Sequence, residues 1–113
     1  MSKLEEERLA TLEYYIDLLV KQMDGTRFPW DYLIIRGKLS RRDVQSIYDT
    51  CEELSKEMEK QKAEGFVTFS PLLLQFRHAL PPGLPWEETI NALHSQGLYI
   101  SLMDEFHKLI KKK

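Results

Sequence analysis

The sequence predicts an all-α fold: a multihelical single domain over residues 1–113, with two long heptad-patterned helices that suit a homo-oligomer. Three observations predict it. Apolar residues recur at spacings of three and four along most of the chain. The one extended-looking run, Phe66-Val67-Thr68-Phe69, has no second strand-like run to pair with. The segment from Arg41 to about Glu64 would make a helix of roughly 36 Å at 1.5 Å per residue. A compact domain of this length has a radius of gyration of about 13 Å, so that helix is as long as the whole globule is wide. Such a helix suits an assembly better than a lone monomer.

The first helix runs from about Ser2 to Met23. Leu9, Leu12, Ile16, Leu19 and Met23 form a heptad-spaced seam, and Tyr15, Leu18 and Val20 widen it. A helix apolar on most of its circumference is usually buried on several sides. Glu5, Glu6 and Glu7 suit the positive end of its dipole, and Asp24-Gly25 stops it. Pro29 then opens a short helix to about Arg36, with Gly37 ending it.

The longest helix follows. Ser40 is a good N-cap, and Asp43, three residues on, closes a capping box. Leu39 is placed to staple against Val44. Val44, Ile47, Cys51, Leu54 and Met58 make the second seam, and Gly65 sits where a left-handed C′ residue belongs. Phe66 to Phe69 reads as a connector that buries its two Phe rings. Ser70-Pro71 reads as N-cap and first helical residue of a short apolar helix, stopped by Pro81-Pro82-Gly83. Pro85-Trp86 opens a helix to about Gln96. The last helix spans about Leu98 to Lys111, with Lys108, Lys111, Lys112 and Lys113 at the negative end of its dipole. Pro29-Trp30-Asp31 and Pro85-Trp86-Glu87 echo each other, which shared helix-start chemistry explains as well as duplication does.

Composition bounds the function. A hydrophobic fraction of 42% and a charged fraction of 30% are those of a globular protein, and a net charge of −2 argues against a dedicated binder of nucleic acid or anionic membranes. No apolar run approaches the ~20 residues of a membrane span, and the acidic start lacks a signal-peptide pattern. The single Cys51 lies on an apolar seam and reads as a small buried hydrophobe, a usage that fits a reducing cytoplasm.

Chemistry is sparse. His78, His94 and His107 lack HxxxH or HExxH spacing and read as surface or half-buried side chains, with His107 explained by the helix dipole. Convergence of these histidines with carboxylates at a subunit junction is the one route to an enzyme or metal site. Glutamate pairs such as Glu52-Glu53 point in different directions on a helix, and Glu57 to Gln61 belongs to an ordinary solvated face. There is no glycine-rich phosphate loop and no nucleophile elbow. No catalytic residue, cofactor or metal ligand is therefore assigned. A short helix, a turn at Gly37-Lys38-Leu39 and a helix led by Arg41 and Arg42 give a helix-turn-helix silhouette, with Lys38, Arg41 and Arg42 at the groove. Asp49, Glu52, Glu53, Glu57 and Glu59 along the same helix oppose it, so nucleic acid is not the expected partner.

Several strings carry a resemblance: Leu12-Glu13-Tyr14-Tyr15-Ile16, Cys51-Glu52-Glu53-Leu54-Ser55, the run Gln61 to Phe69, Glu88-Thr89-Ile90, and Gln96-Gly97-Leu98-Tyr99 through Leu102-Met103. The chain resembles the YhaI-like family, small bacterial proteins typical of bacilli. The resemblance implies an all-helical fold assembled as an intertwined homo-oligomer, a trimer rather than a dimer. It implies no activity, cofactor or catalytic residue. The expected protein is thus a non-enzymatic, cytoplasmic interaction or scaffold protein. Its partners would be other copies of itself and a further protein of unknown identity, with no membrane.

Overall fold

The computed structural model describes residues 2–111, so Lys112 and Lys113 lie outside the described residues. Six helices follow one another: α1 (Lys3–Gln22), α2 (Pro29–Arg36), α3 (Arg41–Ala63), α4 (Ser70–Ala79), α5 (Trp86–Ser95) and α6 (Ile100–Lys111), with no strand among the described residues. The fold is all-helical, as the apolar spacing predicts.

Helix starts follow local chemistry in two cases. The Ser2 hydroxyl accepts from the Glu5 backbone N–H at 3.2 Å. Ser40 and Asp43 exchange both bonds of a capping box, at 3.0 and 2.9 Å. Helix α2 is different. Phe28 at its N-cap offers no side-chain acceptor, and the missing one comes from another helix end. Gln96 Oε1 accepts from the backbone N–H of Trp30 at 2.6 Å and of Asp31 at 3.0 Å, while its Nε2 donates to Asp31 Oδ1 at 3.2 Å. Pro29 has no N–H to satisfy, so this side chain at the end of α5 takes up the Trp30 and Asp31 N–H groups that the start of α2 leaves open.

Helix ends share one device. After α2, α3 and α5 a residue with positive φ reverses the chain and the next N–H bonds back to the helix. Gly65 at φ 99° and Gly97 at φ 78° fill that position after α3 and α5. After α2 it is filled by Lys38 at φ 53°, not by Gly37, which stays right-handed at φ −80°. Leu39 N–H bonds Ile34 C=O at 3.0 Å and Lys38 N–H bonds Ile35 C=O at 3.1 Å. The stop is therefore one residue later than Gly37 suggests.

The core is a single cluster. Ile47, Cys51, Leu54 and Met58 of α3 face Leu72 and Phe76 of α4 and Leu102, Met103 and Phe106 of α6, and Trp30 and Leu33 of α2 join Ile90 and Leu93 of α5. The Phe76 and Phe106 rings sit 5.4 Å apart. Trp30 is 1% exposed and its Nε1–H donates to the Tyr48 hydroxyl at 2.8 Å, so the largest side chain is buried with its polar atom satisfied.

Four local expectations are corrected. The connector buries one Phe ring: Phe69 is in the core, whereas Phe66 and Val67 are exposed. Ser70 is the first residue of α4 and Phe69 the cap, because burying the Phe69 ring brings its C=O over the N–H groups of Leu72 and Leu73. The last helix starts at Ile100, since Tyr99 adopts φ 51°. The two Pro-Trp starts are not equivalent. Pro29 is helical and Trp30 buried, whereas Pro85 is a cap and Trp86 lies half-buried under the Arg77 guanidinium at 4.3 Å.

Candidate functional site

Helix α1 stands apart from this packing. None of its 20 residues is buried. Its seam residues Leu9, Leu12, Ile16 and Leu19 are exposed at 44, 55, 49 and 65%, with Tyr14, Tyr15 and Leu18 beside them. The seam that the sequence assigns to core or subunit contact is thus not covered within the chain. Only toward its end does it approach the body, where Ile16, Leu19, Val20 and the half-buried Met23 share a shallow cavity with Ile35. The molecule measures 60 × 29 × 22 Å with a radius of gyration of 17.2 Å. A compact chain of this length would have a radius of about 13 Å, and a 20-residue helix is itself roughly 30 Å long.

The second seam fares differently. Ile47, Cys51, Leu54 and Met58 are buried and Val44 half-buried, all by elements of the same chain. Burial pushes the Cys51 thiol up to about 12, with the Glu52 carboxylate adding to it, so the thiol stays protonated and inert. Lys38, Arg41 and Arg42 gather as exposed side chains around the α2–α3 corner. Asp43, beside them, exchanges both bonds of the capping box with Ser40.

Two of the three histidines converge. His94, in the last turn of α5, and His107, on α6, place their rings edge to face with centroids 4.8 Å apart. His94 Nε2 lies 2.7 Å from Asp104 Oδ1, and His107 Nε2 lies 2.6 Å from Asn91 Oδ1. Asp104 and His107 are three residues apart on α6 and so share a face. One ligand-type atom from each of His94, Asp104 and His107 lies within 4.8 Å of the others. Burial lowers the His107 pKa from its ordinary value, with His94 and Lys111 acting the same way against the pull of Asp104. His107 is therefore not simply a dipole cap. The three residues line a cavity of about 440 Å³ together with Lys62, Ser101, Glu105, Lys108 and Lys111. Glu105 draws two of those lysines to itself, Lys108 at 3.1 Å and Lys62 at 3.7 Å. His78 is exposed on α4 and takes no part.

No helix is long and apolar enough to cross a membrane among the described residues. A family model described as a protein of unknown function (DUF1878) matches residues 1–111, and the chain belongs to that family.

Proposed function

We propose that this member of the DUF1878 family is a homo-oligomeric interaction protein, a scaffold and not a catalyst, whose subunits join through α1. One observation carries the reading: a 20-residue helix with no buried residue presents Leu9, Leu12, Ile16 and Leu19 to solvent. Helices in proteins draw most of their stability from packing an apolar face, and this one has no such cover within its own chain. Fully burying a Leu or Ile side chain is worth roughly 1.5–3 kcal/mol, so the seam holds enough apolar surface to drive association.

The occupant of that surface is a second copy of the chain. The seam repeats at heptad spacing, so it is complementary to itself. The body adds Ile35, Phe66, Val67, Leu74 and Ile100 as further exposed apolar side chains for a neighbour's α1 to cover. The resemblance to the YhaI-like family of bacilli supports three interleaved copies in the cytoplasm. Nucleic acid is left out of this reading, because Asp49, Glu52, Glu53, Glu57 and Glu59 follow Arg41 and Arg42 along α3.

Size-exclusion chromatography with light scattering tests it. At micromolar concentration the particle should have about three times the 13.4 kDa chain mass. Leu12→Asp with Ile16→Asp should return it to the mass of one chain with its helical circular dichroism largely kept. A wild-type particle of 13.4 kDa at that concentration removes the reading.

A further inference from the structure

We propose that His94, Asp104 and His107 form a binding site for a divalent transition-metal ion of the zinc class at the α5–α6 corner. Two imidazoles and one carboxylate are the donor set that zinc and its neighbours take, and three protein ligands leave a position open to water or a small anion.

The geometry is close to what binding needs. The donor atoms lie within 4.8 Å of one another. Bonds of about 2.0–2.1 Å in a tetrahedral site put donors roughly 3.3 Å apart. The difference is within reach of side-chain torsions, with no movement of either helix. Both helices are fixed where it matters. His94 sits one turn before the Gly97 reversal, whose bonds Leu98 N–H to Leu93 C=O and Gly97 N–H to His94 C=O hold the end of α5. Asp104 and His107 flank Phe106, which is fully buried in the core.

The surroundings fit a metal better than they fit two idle histidines. A metal-bound imidazole commonly donates its second N–H to a carbonyl or carboxylate, which fixes the ring and the tautomer. Asn91 Oδ1, 2.6 Å from His107 Nε2, is such an acceptor, and it leaves His107 Nδ1 with its lone pair. The bond between His94 Nε2 and Asp104 Oδ1 holds one proton between two ligand atoms, and the ion would replace that proton. Glu105 engages Lys62 and Lys108, which tempers the positive charge facing the site. The cavity of about 440 Å³ leaves room for exchangeable ligands.

The test is a calorimetric titration of chelator-stripped full-length protein with zinc chloride alone, paired with the visible spectrum of the cobalt(II) form. One ion per chain should bind with a dissociation constant of roughly micromolar or tighter, and cobalt should give absorption bands of low coordination number. His107→Gln and Asp104→Asn should each abolish binding in this range. Asn91→Ala should weaken it by about 10–100-fold, because it frees the ring without removing a ligand. His78→Ala should leave it unchanged. Circular dichroism identifies any variant that has unfolded, and the exposed Asp104→Asn serves as the variant that disturbs packing least. Binding no tighter than millimolar, or binding that His107→Gln and Asp104→Asn leave intact, overturns the site.

Discussion

At the scale of single residues, Lys38 carries a conformation its side chain does not favour. It holds φ 53° at the reversal after α2, a position usually taken by glycine or asparagine. Lys38→Gly should therefore stabilise the protein by about 0.5–1 kcal/mol, read as a higher urea midpoint with an unchanged slope. Gln96 makes the opposite case. Its amide closes the open start of α2 from the far end of α5, and Gln96→Ala should cost about 1 kcal/mol, the usual loss for an N-cap. Tyr48→Phe should cost about 1–3 kcal/mol by leaving the buried Trp30 indole N–H without its acceptor. Ser40 and Asp43 were legible because capping is written three residues apart in the sequence. Gln96 was not, because its two acceptor bonds reach back 66 and 65 residues, which no local pattern records. The same holds for the metal-site candidates. Asp104 and His107 are close in sequence, but His94 joins them only because Gly97 and Tyr99 fold α5 back on α6.

Among the elements, α1 and α3 carry the same kind of seam and meet opposite fates. The length of α3 argued for an assembly, yet its buried side chains are covered within one chain by α4 and α6. The unmet seam is that of α1, whose apolar spacing is equally plain in the sequence. Spacing states which face seeks cover but not which body supplies it, since that depends on where the chain turns after the helix. Here the turn is set by Asp24. Its carboxylate accepts from the Thr26 hydroxyl at 2.6 Å and the Thr26 N–H at 2.9 Å, which lowers its pKa. The two seams are separable by mutation. Phe106→Ala in the body should cost about 3–5 kcal/mol at any protein concentration. Leu12→Ala should leave the body's own unfolding free energy within about 0.5 kcal/mol, as surface changes do, while weakening self-association. Chemical denaturation of both variants across a range of protein concentrations distinguishes the two effects.

For the whole molecule, the all-helical fold was legible because apolar residues show helical spacing along most of the chain and the one extended-looking run, Phe66 to Phe69, has no strand partner. The elongation was not, because a radius of gyration of 17.2 Å reports a helix that finds no groove on its own chain. The core cluster begins at Trp30, and every fully buried large side chain among the described residues comes from α2 or later. The body should then hold its fold without α1. A chain that starts at Asp24 keeps the Asp24–Thr26 turn, the Gln96 cap on α2 and the entire core. It should fold cooperatively, show one monomeric mass in light scattering, and unfold at a temperature independent of its concentration. The intact chain should behave differently: association stabilises the folded state by mass action, so its unfolding temperature should rise with concentration. If the shortened chain is unfolded, α1 supplies stability to its own body and the division between body and association helix is wrong. If it folds yet still associates, the contact between copies lies on Ile35, Phe66, Val67, Leu74 and Ile100, and α1 has another role.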